Sequence, residues 1–128
     1  MPIVGLDHVQ VAAPPGCERE ARRFYGSVLG LEEVAKPEPL AARGGVWFAV
    51  GSGQQLHVGV AEDFTPALKA HPGLAVVSGS LETLAERLVE AGCDVRWDAA
   101  LPGVARFYVD DPWGNRLELV EAGSGGGS

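Results

Sequence analysis

Three histidines and one glutamate are the residues of this sequence best suited to hold a metal ion. The chain contains only three histidines, and His8, His57 and His71, like Glu118, fall in or beside short apolar stretches. Imidazole and carboxylate ligands suit Zn²⁺, Fe²⁺, Ni²⁺, Co²⁺ or Mn²⁺, and a set of three or four leaves a position open for substrate or water. Such a site serves lyase, isomerase and oxygenase chemistry. A lone strand histidine is more often structural, so the prediction depends on all four together.

The spacing of these residues indicates an internal repeat. Each half of the chain reads as a strand, a helix and further strands, and the two helices end at Gly30 and Gly92. The first-strand histidines, His8 and His71, precede these glycines by 22 and 21 residues, and the last-strand candidates follow them by 27 and 26 residues. Two copies of one module could close a cupped sheet around a shared cavity.

Hydrophobic periodicity predicts an α+β fold made of two tandem βαβββ modules. The modules span about 1–62 and 69–122 within one domain, 1–122. Helical spacing covers 18–29 and the stretch from 81 to the glycine stop at 92. Strands are predicted at 4–12, 45–50, 54–60, 71–77, 95–97, 104–109 and 116–121.

Alternation along the predicted strands places the candidate ligands on one face of the sheet. Leu56 and Val58 share the face opposite His57, and Leu117 and Leu119 share the face opposite Glu118. The apolar face is expected to pack under the helices, whereas the ligand face is expected to line a cavity. The same alternation predicts these pocket residues: Gln10, Trp47, Gln55, Arg106 and Tyr108.

Composition limits the possible partners. The chain has 128 residues and a net charge of −7, which disfavours nucleic acid and anionic membranes. No stretch approaches the ~20 apolar residues of a membrane span, and the start of the chain does not resemble a signal peptide. Cys17 and Cys93 are expected to be reduced thiols of a cytoplasmic protein. Residues 123–128, all Gly or Ser, are expected to be a linker or an added tail.

Three motifs make the chain resemble the vicinal oxygen chelate superfamily of glyoxalase I, fosfomycin-resistance enzymes, extradiol dioxygenases and bleomycin-resistance proteins. These motifs are GLDHV at 5–9, FY at 24–25 followed by VLGL at 28–31, and DPWGNRLEL at 111–119. The resemblance covers residues 3–121. It implies two βαβββ modules that form an incomplete barrel around a divalent metal, and it implies a homodimer.

The resemblance also implies roles for individual residues. His8 and Glu118 correspond to the first-strand ligand of module one and the last-strand ligand of module two. His71 is the first-strand ligand of module two by the internal repeat, whereas counting back from the second helix places that ligand at Gly73. His57 lies where some members have a fourth ligand. Glu118 is also the candidate catalytic residue, because it could leave the metal to move a proton.

Two functions from different classes follow from this resemblance. The first is a metal-dependent lyase, isomerase or dioxygenase that acts on a small molecule chelating the metal through neighbouring oxygens. The second is a metal-free protein that sequesters a drug, as bleomycin-resistance proteins do. Aromatic residues would supply its stacking surface: Trp47, Trp97, Tyr108 and Trp113. The substrate and the metal are not specified by the sequence.

Overall fold

The computed structural model describes residues 2–123; residues 124–128 of the predicted tail lie outside them. The chain divides between Pro66 and Ala67 into two compact units, called unit one and unit two. Each contains a four-stranded mixed sheet. No helix in the described part of the chain is long and apolar enough to cross a membrane.

Unit one is a βαβββ module. Strands β1 and β4 are parallel, whereas β2 and β3 extend the sheet in antiparallel fashion, in the order β1-β4-β3-β2. Helix α1 continues as a π-helical segment, and a short 3-10 turn precedes β3. The elements are β1 His8–Ala13, α1 Glu18–Ala21, the π-helix Arg22–Val28, β2 Glu32–Val34, the 3-10 turn Leu40–Arg43, β3 Val46–Val50 and β4 Gln54–Val60.

The core of unit one lies between the π-helical segment and the sheet. Phe24, Tyr25, Phe48 and Leu56 are all at most 1% exposed. The rings of Tyr25 and Phe48 lie 5.9 Å apart, which joins the helix to β3. Burial of each such side chain stabilises the fold by about 2 kcal/mol, so this face of the sheet is fixed against the helix and the other face is left for ligands.

Unit two repeats the module. Its sheet has the order β5-β8-β7-β6, with β5 and β8 parallel and the other pairs antiparallel. Leu81, Ala85 and Leu88 form the buried face of α2, and Phe107, Leu117 and Leu119 are buried in the sheet. The elements are β5 Gly73–Val76, α2 Leu81–Glu90, β6 Arg96–Asp98, β7 Arg106–Asp110 and β8 Arg116–Glu121.

The two-module α+β fold predicted from the sequence is confirmed, with local differences. Strand β2 was not predicted, because its three residues, Glu32–Val34, show no apolar alternation. The first helix is largely π-helical, since Leu29 and Leu31 donate to carbonyls five and six residues earlier. The prediction that His71 lies within a strand is wrong: β5 begins at Gly73, and the intervening Pro72 carries no N–H for a ladder.

Candidate functional site

In unit one, the sheet register brings the two histidines together. The cross-strand partners of His57 are Gln10 on β1 and Trp47 on β3. His8 lies two residues before Gln10 at the start of β1, so its side chain shares the face of Gln10. This face is the one predicted from strand alternation.

Unit two shows the same register around its glutamate. The cross-strand partners of Glu118 are Gly73 on β5 and Tyr108 on β7. His71 lies two residues before Gly73, and the Glu118 N–H donates to the carbonyl of the intervening residue at 3.0 Å. His71 therefore occupies in unit two the place that His8 occupies in unit one. This register favours His71 over Gly73 as the candidate ligand.

The rings of unit one form a stack. The imidazole of His57 lies between the indole of Trp47 and the imidazole of His8. Its centroid is 3.9 Å from that of the indole, with an interplanar angle of 2°, and 4.4 Å from that of the His8 ring, with an interplanar angle of 19°. His57 is only 6% exposed. Burial lowers the pKa of His57, and the neighbouring His8 lowers it further. The His57 ring is therefore neutral at neutral pH, the form in which imidazole binds metals.

Hydrogen bonds define which nitrogen of each unit-one imidazole carries the proton. His57 donates from Nε2 to Oε1 of Gln55 at 2.8 Å. His8 donates from Nδ1 to Oδ2 of Asp7 at 2.9 Å. A neutral imidazole with one N–H has a lone pair on its other nitrogen. Those nitrogens are Nδ1 of His57 and Nε2 of His8.

In unit two, His71 is oriented in the same way and faces the carboxylate. Its Nδ1 donates to the carbonyl oxygen of Lys69 at 2.8 Å, and its Nε2 lies 3.0 Å from Oε1 of Glu118. A carbonyl oxygen only accepts, so Nδ1 carries a proton, and Nε2 faces a carboxylate oxygen of Glu118. A proton on Nε2 or a bound cation would join these two atoms at this distance.

The second oxygen of Glu118 is paired with an arginine. Arg106 donates from Nη1 to Oε2 of Glu118 at 3.1 Å and from Nη2 to Asp98 at 2.8 Å. The guanidinium carbons of Arg106 and Arg116 each lie 5.5 Å from the Tyr108 ring, within the range of cation–π attraction. The predicted pocket residues Arg106 and Tyr108 are thus packed around Glu118.

A cavity of 490 Å³ lies on the ligand face of unit one. It contains the predicted pocket residues Gln10 and Trp47, while the predicted Gln55 contacts the site through its hydrogen bond to His57. Sequence reasoning missed two of its cationic residues, which lie outside regular strands and follow no periodicity. The side chains important here are His8, Gln10, Lys36, Arg43, Trp47 and His57.

Unit two has a cavity of different character between α2 and β6, called the Trp97 groove. It measures 660 Å³ and is lined by Glu82, Glu86 and Glu90 together with Val89 and Trp97. Trp97 is 54% exposed. The groove contains none of the predicted metal ligands, so we treat it as separate from the candidate site.

The predicted donors fit a metal as two pairs. Nowhere in residues 2–123 do three or more His, Cys, Asp or Glu side chains form a cluster that could hold a metal ion. Each unit brings together two of the predicted donors, His8 with His57 in unit one and His71 with Glu118 in unit two. Metal-binding histidines almost always donate their other N–H to an acceptor, and all three histidines do so here. The donor chemistry therefore fits a divalent metal.

Comparisons with known proteins agree with this fold. The model of the glyoxalase-like domain family matches residues 12–120. A putative glyoxalase family protein from Bacillus anthracis is 51% identical, with a TM-score of 0.88 over 93% of this chain and 95% of that one. No curated protein matches the chain significantly.

More distant solved structures share the fold. A lactoylglutathione lyase from Agrobacterium tumefaciens is 19% identical, with a TM-score of 0.75 over 95% of this chain and 96% of that one. The fosfomycin resistance protein FosX from Listeria monocytogenes is 16% identical, with a TM-score of 0.72 over 94% of each chain. The chain therefore belongs to the glyoxalase-like domain family, within the vicinal oxygen chelate superfamily.

Proposed function

We propose that this protein is a divalent-metal-dependent, glyoxalase-like enzyme that acts on a small molecule with neighbouring oxygen atoms. The observation that carries the proposal is the orientation of the histidines. Each of His8, His57 and His71 donates one ring N–H to an oxygen acceptor, so the other ring nitrogen is the one that would bind a metal. Metal-binding histidines almost always show this arrangement.

The pair in unit two supports the proposal most strongly. Nε2 of His71 and Oε1 of Glu118 lie 3.0 Å apart. Imidazole nitrogen and carboxylate oxygen both bind divalent ions, so these two side chains would hold the metal in unit two. His8 and His57 are the candidate donors of unit one.

The metal, when bound, would polarise a substrate oxygen and stabilise the negative charge that develops on it. The residues of each unit have separate tasks. Arg106 donates to Oε2 of Glu118 and holds the carboxylate in place. Oε1 of Glu118 is then the atom able to accept a proton from substrate. Trp47 and Gln10 limit the space for substrate in the unit-one cavity.

Lyase, isomerase and dioxygenase reactions all fit this arrangement. The similar proteins include a lactoylglutathione lyase and a glyoxalase/dioxygenase from Nostoc punctiforme, which supports an enzyme without selecting the reaction. The metal stays a choice among Zn, Fe, Ni, Co and Mn. A cytoplasmic location and a homodimer stay predictions, and sedimentation of the purified protein would test the second.

A metal-free binding protein of the bleomycin-resistance type is the second candidate. The observation that favours it is the stacked Trp47 and His57, which offer a rigid aromatic wall to the unit-one cavity. Such a protein would bind a planar ligand by stacking and would not need the oriented histidines. Trp97 and Trp113 lie outside the residues that line this cavity.

Metal content distinguishes the two candidates. The parent protein, His8→Ala and Glu118→Ala are purified without chelator, supplied with Zn²⁺ or Ni²⁺ and analysed after dialysis. The enzyme proposal expects stoichiometric metal in the parent and loss of metal in both variants. Asp63→Ala, which removes an exposed carboxylate of unit one, is the control and keeps its metal. A metal-free parent that binds a planar drug tightly would instead support the second candidate.

A further inference from the structure

The cavity of unit one differs in charge from the rest of the chain. Its described lining includes the cations Lys36 and Arg43 and no acidic residue. The chain as a whole has a net charge of −7. This cavity is therefore a locally positive site in an acidic protein, which favours an anionic ligand.

The loop that carries Arg43 is held in place by a specific set of contacts. The Lys36 ammonium donates to the Gly44 carbonyl, and the Gly45 N–H donates to Oε2 of Glu18 at 2.6 Å. Gly45 has a φ of +89°, and a Cβ at this residue would lie 2.2 Å from the Val58 carbonyl oxygen. Only glycine allows the loop to approach β4 so closely. The backbone therefore fixes the position of the loop that carries Arg43.

The guanidinium of Arg43 is available for a ligand. Among residues 2–123, no ion pair or hydrogen bond engages the Arg43 side chain, although most other arginines of unit one have carboxylate partners: Arg22 pairs with Glu33 and Arg23 with Glu20. Glu18, the carboxylate nearest the loop, is occupied by the Gly45 N–H. The positive charge of Arg43 is therefore not neutralised by an ion pair with a carboxylate of its own loop.

The remaining walls fit an apolar, planar body. Leu40 and Trp47 contribute apolar surface. The Gln10 side chain lies against Gly59, where an added Cβ would be 2.8 Å from the Gln10 amide carbon. Gly59 thus leaves room for this amide on the cavity face. The volume of 490 Å³ is that of a small-molecule site.

We propose that the unit-one cavity binds a small organic anion, in which a carboxylate or phosphate group pairs with Arg43 and a planar body packs beside Trp47. The inference deepens the proposed function, because His8 and His57 line the same cavity, and it names the substrate class. A guanidinium binds either oxyanion through two parallel N–H donors. Lys36 adds positive potential without needing to contact the ligand.

The test measures binding of four ring compounds to the chelator-treated protein by calorimetry. Benzoate and phenyl phosphate carry the anion, benzamide is neutral and benzylammonium is cationic. We expect both anions to bind at millimolar concentration or better, and benzamide and benzylammonium to bind at least about ten-fold more weakly. Stronger binding of phenyl phosphate than of benzoate would identify a phosphate ester as the substrate type, and the reverse order a carboxylate.

Two variants assign the effect to the loop. Arg43→Gln is expected to weaken anion binding about ten-fold while benzamide binding is unchanged. Arg19→Gln removes an exposed arginine of the same unit that does not line the cavity, and it is expected to bind like the parent. Equal binding of benzoate and benzylammonium, or equal losses in Arg43→Gln and Arg19→Gln, would overturn the inference.

Metal uptake is measured on separate aliquots of the same preparations that are not treated with chelator, so the two proposals fail separately. Failure of anion binding in a parent protein that takes up metal would overturn only the ligand class. Anion binding that depends on Arg43, in a parent that takes up no metal, would overturn only the metal-dependent function.

Discussion

The two units share one register but differ in what they place on it. In unit one, a histidine lies across from Trp47 and stacks in a row of three rings. In unit two, a glutamate occupies the same register across from Tyr108 and pairs with a histidine and an arginine. The repeated backbone thus determines where donors lie, whereas the side chains determine their charge.

The cavities of the two units also differ in charge. The unit-one cavity is lined by Lys36 and Arg43, and the Trp97 groove of unit two is lined by three glutamates of α2. These glutamates recur every fourth residue on the exposed face of the helix, which is the ordinary pattern of a solvated surface. The cations of unit one instead come from a loop fixed over the ligand face. Duplication of a module therefore does not imply duplication of its ligand.

The largest expected effect tests whether the stability of unit one depends on the close approach of its loop to β4. Gly45→Ala places a Cβ 2.2 Å from a backbone oxygen and should lower the free energy of unfolding by about 3 kcal/mol. Chemical denaturation measures the change. Gly51→Ala, at a φ of +61° with no neighbour within 4 Å, is the control and should cost about 1 kcal/mol. Equal losses would show that the close approach is unimportant.

The next effect concerns the closing turn of unit two. Asn115 is 1% exposed, donates from Nδ2 to Asp111 and accepts from the Ala67 N–H. Asn115→Ala removes both side-chain hydrogen bonds, one of them to the buried Asp111, and should cost about 2 kcal/mol. The exposed Thr83→Ala on α2 should change stability by less than about 0.5 kcal/mol. Thermal or urea unfolding measures the stability of both variants, and equal losses would contradict the role assigned to Asn115.

A smaller effect compares how the units orient their first-strand histidines. His8 is held by the Asp7 side chain, whereas His71 is held by the Lys69 carbonyl, which mutation does not remove. Asp7→Ala should weaken Zn²⁺ binding about ten-fold, as measured by competition with a chromogenic chelator. Asp63→Ala is the matched control. An unchanged affinity in Asp7→Ala would mean that this hydrogen bond does not support metal binding.

The smallest effect is a pH dependence in unit one. The Gly45 N–H lowers the pKa of Glu18 below its ordinary 4.5. A carboxylate with a lowered folded-state pKa stabilises the fold above its unfolded pKa, and this contribution is lost as pH falls through the folded value. Glu18→Gln should therefore lose less stability than the parent when pH falls below 4.5. Glu20→Gln, on the same helix, is the control and should follow the parent.

The sequence predicted the sheets because their alternation is a local property. Leu56, Val58, Leu117 and Leu119 are buried as expected, with at most 2% exposure, and this fixes the opposite face. His57 and Glu118 therefore lie on the opposite face of their sheets, as strand alternation predicted. The two-module fold was predicted from the same pattern, whereas the short strand β2 was not.

The remaining features depend on contacts that periodicity does not encode. Arg43 was missed because its place over the cavity results from a glycine at close approach and from the Glu18 carboxylate. Its only sequence signal is the Gly44-Gly45 pair that follows it. The Asp7 and Lys69 hydrogen bonds to the histidines were also missed, since they depend on side-chain rotamers and on the turn before β5.

The central claim is that the three histidines are oriented as metal ligands. Nitrogen NMR of the isotope-labelled protein, recorded at neutral pH with and without Zn²⁺, tests it most directly. Before metal is added, we expect protons on Nδ1 of His8, on Nε2 of His57 and on Nδ1 of His71. Zn²⁺ should then change the chemical shift of only the other nitrogen of each ring. Protons found on those other nitrogens before metal is added, or nitrogen shifts that do not change at saturating Zn²⁺, would contradict this claim.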